Sequence, residues 1–156
     1  MNRRTSKEQI TNLIKKIRNK IPEVTIRTSL IVGFPGETNQ EFEELEEFVK
    51  DIKFDKLGTF MYSKEDGTPA AKLPEQIHGN TKKARYNKIM KEQQKIAAEK
   101  MKEKIGKECE VLVENISFDG KYLIGRTLQD APEIDGLVFI KNENQKDTEA
   151  IINCFV

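Results

Sequence analysis

Thr81 to Ile105 runs without a glycine or a proline, and the apolar pattern differs on its two sides. Upstream, helix-spaced stripes alternate with β-branched runs. Downstream, apolar residues come only in short, strand-length runs. A chain that changes period in this way folds as two units. The charge changes at the same place. Residues 1–105 hold 22 Lys+Arg against 16 Asp+Glu, and residues 106–156 hold 5 against 10, although the net charge of the 156-residue chain is only +1. Units of opposite sign suit different partners. The expected organisation is residues 1–80, a connecting helix 81–105, and residues 106–156.

In the first part, Ser6 and Gln9 make a capping box that opens a helix with Ile10, Leu13, Ile14, Ile17 and Ile21 on one stripe, stopped at Pro22. Val24 to Val32 reads as a strand, apolar enough at Leu30, Ile31 and Val32 to be covered by helices on both faces of a parallel sheet. Gly33 to Glu37 is a turn. Thr38 with Glu41 caps a second helix whose buried face is Phe42, Leu45, Phe48, Val49 and Ile52, and Leu57 to Tyr62 is a second strand. Helix, strand, helix, strand is an α/β alternation with right-handed crossovers. Two parallel strands cannot close a barrel, so the chain either oligomerises through its open sheet edges or, the favoured reading, is a piece of something longer.

Residues 63–80 read as loop from their Gly and Pro content. The helix 81–105 should end at Gly106. Its stripe (Tyr86, Ile89, Met90, Ile96, Ala97, Met101, Ile105) is broken at Gln93 and Gln94, which predicts a helix docked at its ends and wet in the middle. Beyond Cys109, strands at Val111–Val113, Tyr122–Ile124, Leu137–Ile140 and Ala150–Val156, with hairpin signals at Asp119-Gly120 and Asp135-Gly136, predict a small β-barrel of the OB style. The fold class is therefore α/β followed by a small all-β unit.

No apolar run reaches the roughly 20 residues of a membrane-spanning helix, and Met1 to Ser6 has no apolar stretch behind its arginines, so a cytoplasmic protein is expected. Cys109 and Cys154 fit no clustered ligand spacing, which argues against a disulfide framework or a zinc site. His78 stands alone in a loop and is no candidate ligand. No metal-ligating set and no catalytic residue is expected in this chain.

Two stretches are candidates for binding. Gly33 and Gly36 at the end of a strand would let the backbone approach a ligand, and the helix after Thr38 would offer N–H groups and the positive end of its dipole. The same residues make a plain strand-to-helix turn, and neither a P-loop nor G-x-G-x-x-G is present. The loop Asp130–Gly136 places Asp130, Glu133 and Asp135 together. It reads either as a solvated hairpin loop or as a docking surface for a basic partner. The nine Lys+Arg of the 81–105 helix are ordinarily a solvated face; alternatively they would follow a phosphate backbone, although Tyr86 is the only aromatic residue beside them for base stacking.

The segments Arg27–Thr38 (RTSLIVGFPGET), Phe54–Gly58 (FDKLG), Tyr62–Ala70 (YSKEDGTPA) and Asp130–Gly136 (DAPEIDG) together resemble, in order and spacing, the C-terminal part of the methylthiotransferases, a family of radical S-adenosylmethionine enzymes. The last segment resembles the RimO branch, which modifies a ribosomal protein. The resemblance implies that residues 1–80 are the closing strands of a (β/α) barrel holding S-adenosylmethionine and an iron–sulfur cluster, and that residues 106–156 are a TRAM domain. It implies cofactor contacts at Ile31, Gly33, Phe34, Pro35, Gly36 and Glu37, and substrate docking at Asp130, Glu133 and Asp135.

The implied reaction is methylthiolation of an aspartate β-carbon on small-subunit ribosomal protein S-twelve, by a radical generated from S-adenosylmethionine with a second cluster assisting. Ser29 stands where the family often has glycine, Glu37 comes one position late, and the likeness fades after Ile140. The three-cysteine motif and the N-terminal domain of the family are absent. On its own the chain is expected to be inactive and to bind neither cofactor stably, and a separate N-terminal half is an expected partner. The acidic second unit favours a basic ribosomal protein over transfer RNA, the substrate of the sister branch.

Overall fold

The computed structural model describes residues 4–142 and 151–155. They divide into two units, Met1–Lys100 and Met101–Val156. The division keeps most of the long helix with the first unit, whereas the sequence placed boundaries at 80/81 and 105/106.

In the first unit the order is α1 (Lys7–Lys20), β1 (Arg27–Val32), α2 (Asn39–Ile52), β2 (Lys56–Met61) and α3 (Gly79–Lys102), with a short 3-10 turn at Ala70–Lys72. Both capping boxes form as expected. Ser6 accepts from the Gln9 N–H and Thr38 from the Glu41 N–H, while each glutamine or glutamate side chain returns to its cap's N–H. At its other end α2 stops on Lys53 in the left-handed region, and Arg18 of α1 donates to the terminal carbonyls of Ile52 and Lys53. A cation at a helix C-terminus satisfies orphan acceptors and suits the dipole.

β1 and β2 pair in parallel, Arg27 opposite Lys56 through Val32 opposite Met61. Among the described residues these two strands form the whole sheet of this unit. One side carries Leu30, Val32 and Leu57 into a core with Ile14, Phe42, Val49, Ile52, Phe54, Ile89 and Ile96, drawn from all three helices. The other side shows Arg27, Ser29, Ile31 and Phe60 exposed. The expectation of a strand covered on both faces is therefore corrected. The apolar run Leu30-Ile31-Val32 is covered on one face only, with Ile31 40% exposed.

A second correction concerns α3. Its middle is the buried part: Arg85, Ile89, Gln93 and Ile96 are all inside, while Met101 is exposed. Gln93 does not interrupt the buried stripe because its side-chain amide donates to the Phe54 carbonyl at 3.0 Å. A polar side chain can be buried when its donor is matched in this way. Arg85 is matched likewise, as described below. The helix is thus a wall of the first unit rather than a wet connector.

Asp55 ties α1, the residue before β1 and the end of α3 together. It accepts the Ile26 N–H at 2.9 Å, pairs with Lys100 at 2.8 Å and lies 3.8 Å from Arg18. Burial alone would raise its pKa, but the Lys100 and Ile26 hydrogen bonds and the two positive charges outweigh that and hold the carboxyl below its ordinary value of 3.8. A lowered carboxylate pKa stabilises the fold at pH values above the unfolded value, and that stabilisation is lost as pH falls through the folded one. Asp55→Asn should therefore destabilise the chain by about 1–3 kcal/mol at neutral pH. Urea unfolding should show the gap between variant and parent closing as the pH falls below about 4.

The second unit is antiparallel: β3 (Glu108–Ile116), β4 (Tyr122–Thr127), β5 (Val138–Lys141) and β6 (Ile151–Phe155), in sheet order β5-β4-β3-β6. All four expected strands are present, as is the hairpin at Asp119-Gly120, where Ser117 and Asp119 hold the turn. The register slips between Val113 and Asn115, marking a β-bulge. Gly125 lies across from it, where a Cβ would stand 2.2 Å from the Leu112 carbonyl oxygen. Among the described residues, Val111, Val113 and Leu123 are the buried apolar side chains of this unit. Closure into a barrel is not part of the described pairing, which is an open four-stranded sheet. Among the described residues no helix is long and apolar enough to cross a membrane.

Candidate functional site

The strand-to-helix turn is built as its sequence requires. The Glu37 N–H returns to the Phe34 carbonyl at 2.9 Å around Pro35 and Gly36. Proline presets the first central position and Gly36, at φ +83°, takes the left-handed second one, which makes a type II turn. The Gly36 N–H also donates to the Glu75 carbonyl, so the 63–80 segment is fastened to the turn.

Glu37 is the pivot. Its Oε2 accepts the Gly33 N–H at 2.6 Å and the Arg85 guanidinium at 2.5 Å. Arg85 also donates to the Glu37 carbonyl at 3.1 Å and to Asn39 Oδ1 at 2.9 Å, and sits 5.3 Å over the Phe42 ring. Both side chains are largely buried, at 6% and 13% exposure. Arg85 was seen in the sequence only as one of nine helical cations. The signal that could have separated it is its place on the same helix face as Ile89 and Ile96, at helical spacing from both.

Gly33 has a different role from the expected open cradle. Lys82 lies across it, and a Cβ there would stand 2.4 Å from Lys82 Cγ. The lysine then reaches the Tyr62 carbonyl at 2.9 Å, with its ammonium 5.0 Å over the Tyr62 ring, and Tyr62 meets Phe34 edge-on at 5.2 Å. The N-terminus of α2 is likewise engaged by its own capping box, with Glu41 held below its ordinary pKa by the hydrogen bonds from Thr38.

The six candidate residues therefore divide. Gly33, Phe34, Pro35, Gly36 and Glu37 share the turn packed beneath α3. Ile31 stands on the open sheet face opposite Phe60, with Ser29 opposite Gly58 beside them. Ile31 and Phe60 are both exposed there, and the Phe60 ring leans over Gly58, where a Cβ would stand 3.6 Å from it.

His78 is the N-terminal cap of α3: its Nδ1 accepts the Asn80 N–H at 3.2 Å. Of the basic residues on α3, Lys82, Arg85, Lys88 (2.6 Å from Glu46), Lys95 (2.9 Å from Glu92) and Lys100 are all partnered within their own unit. A helix with these cations committed internally is a poor phosphate tracker.

In the second unit, Asp130 accepts from the Thr127 N–H and hydroxyl at 3.2 and 2.6 Å, and Asp135 accepts the Ala131 N–H at 2.7 Å. Those two carboxylates shape the loop. Glu133, at φ +61°, is exposed. Residues 143–150, which carry four further charged positions of this unit's tally (Glu143, Lys146, Asp147 and Glu149), lie outside the described residues.

Residues 105–156 match the family model for the TRAM domain. The whole chain is 54% identical to the ribosomal protein uS12 methylthiotransferase RimO of Alkaliphilus oremlandii over 156 residues, which is 100% of this chain and 35% of that relative. The protein of the same name from Clostridium botulinum (strain Loch Maree / Type A3) is 56% identical over 147 residues, 94% of the chain and 33% of the relative. That from Clostridium perfringens is 47% identical over 146 residues, 94% and 32%. The chain is RimO-like throughout and carries a TRAM domain. It spans about a third of the length of the curated RimO relatives it matches. The likeness to RimO continues to Val156 in the Alkaliphilus protein, which corrects the expectation that it fades after Ile140.

Gly33→Ala tests the turn. It forces a side chain into the left-handed region and into Lys82, and should cost about 2–4 kcal/mol in urea unfolding. Adding Lys82→Ala should restore only the steric part of that loss.

Proposed function

We propose that this chain supplies part of the S-adenosylmethionine-binding (β/α) barrel, together with the substrate-docking TRAM domain, of a cytoplasmic methylthiotransferase acting on an aspartate β-carbon of small-subunit ribosomal protein S-twelve. The observation that carries the reading is 54% identity to a uS12 methylthiotransferase along the entire chain. The parallel β1–β2 pair supports it: helices cover one face and leave the other open, as a wall of a barrel would.

S-adenosylmethionine, which would supply the radical chemistry, fits the residues here in part. Ile31 and Phe60, on the open sheet face, would lie against its flat base. Gly33, Phe34, Pro35, Gly36 and Glu37 would hold that edge of the site in shape, because Glu37 is already bound to Gly33 and Arg85. An iron–sulfur cluster does not fit: among the described residues no group of three ligating side chains comes together, and both cysteines lie in the second unit. The cluster ligands would have to come from outside these residues.

For the substrate, the acidic balance of residues 106–156 favours a basic protein over RNA. Glu133 would face it, with Asp130 and Asp135 shaping the loop that presents Glu133. Titration of the full chain with the basic ribosomal protein should show binding that weakens steeply with salt. Glu133→Lys should weaken it several-fold at low ionic strength while leaving the unfolding midpoint unchanged. Preferential binding of RNA, weakened by reversing the charge of Lys83 and Lys91, would instead favour an RNA-binding module.

A further inference from the structure

The register of the second unit sets Cys109 of β3 directly opposite Cys154 of β6, and their sulfurs lie 3.6 Å apart. The sequence separates them by 45 positions, and only the antiparallel ladder brings them together. They are free thiols and both are partly exposed. They lie on the same face of the sheet as Val111 and Ile152, two residues along each strand. Among the described residues β6 is an edge strand whose only pairing is with β3. Its first residue, Ile151, is 71% exposed.

We propose that Cys109 and Cys154 form an oxidation-dependent cross-strand disulfide that clamps β6 to the TRAM sheet, with a low-molecular-weight disulfide of the glutathione type as oxidant. One protein thiolate attacks a sulfur of the oxidant and expels one small thiolate. The second protein thiolate then attacks the protein-bound sulfur and expels the other. The two cysteine sulfurs lose two electrons in total and become bonded. The oxidant gains those two electrons, and the two cysteine protons end on the two released small thiols. Bringing the sulfurs from 3.6 Å to the bonding distance of about 2.05 Å needs movement on the order of an ångström, within reach of side-chain torsions on paired strands.

Reactivity is restrained in the resting state. Burial, the hydrogen bond with Cys109 and the neighbouring sulfur push the Cys154 thiol up to about 11. The thiolate is the reacting form, so the exchange should accelerate as pH rises from about 7 to about 9. In a reducing compartment the pair stays open, and closure reports a shift toward oxidant.

The full chain should be incubated with oxidised glutathione and followed by intact mass, peptide mapping and amide exchange. The expected product is a monomer lighter by about 2 Da, for the two hydrogens lost. It should contain one peptide pair linked through Cys109 and Cys154, reopen with dithiothreitol, and show slower exchange over 151–155 than reduced chain. Cys109→Ser and Cys154→Ser should each accumulate a glutathione adduct on the remaining cysteine instead. Mixed adducts on both cysteines of the parent, intermolecular dimers, or no reaction would overturn the proposal. A linked pair with unchanged exchange over 151–155 would overturn the clamp.

Discussion

A carboxylate and a guanidinium, both largely removed from water, hold the first unit in the form described. Glu37 closes the turn by accepting the Gly33 N–H, and Arg85 reaches it from α3, some fifty positions along the chain. Burying either charge alone would be unfavourable by several kcal/mol, so each residue makes the other's position tenable. Arg85 adds hydrogen bonds to the Glu37 carbonyl and Asn39 and lies over Phe42. With α3 seated there, Ile89 and Ile96 enter the core and Lys82 crosses Gly33.

That placement decides what the open side of the sheet is available for. Three helices occupy one face of β1 and β2, so no further described helix or strand of this unit remains to cover the other. Exposed Ile31 and Phe60 on a two-stranded parallel sheet form an apolar surface that water would not favour in a finished domain. The barrel interior and adenosyl ligand proposed above would give that face something to contact. The second unit is organised differently: its strands pair with their sequence neighbours apart from β6, and its net negative charge suits a cationic client.

Much of this architecture was legible in local signals. The two capping boxes, the Asp119-Gly120 hairpin and the alternation of helix and strand depend on neighbours a few residues apart, and each forms as read. What escaped depends on distant partners. Gln93 looked like a break in an apolar stripe because the Phe54 carbonyl that accepts from it is 39 positions away. Arg85 was one cation among nine, and only the fold singles it out. The two cysteines were set aside for lack of clustered spacing, yet strand register makes them opposites. Ile31 looked buried on both sides because an apolar run does not record which of its faces a missing layer would cover.

The site residues were legible as a turn, but their individual roles were not. Gly33 was expected to leave room for a ligand, whereas the room is taken by the stem of Lys82. Asp130 and Asp135 read either as part of a solvated loop or as partner-facing carboxylates, and each accepts a backbone N–H of its own loop. Short polar side chains in loops commonly satisfy nearby backbone donors first, and sequence does not reveal which will do so.

The coupling of Glu37 to Arg85 is tested most directly by a double-mutant cycle with Glu37→Gln and Arg85→Met, read by urea unfolding of the full chain. Each single change should destabilise by about 3 kcal/mol, and the double variant should lose well under their sum, with an interaction energy of at least about 1.5 kcal/mol. Strictly additive losses would contradict the account, because they would mean that the turn and α3 hold their places independently.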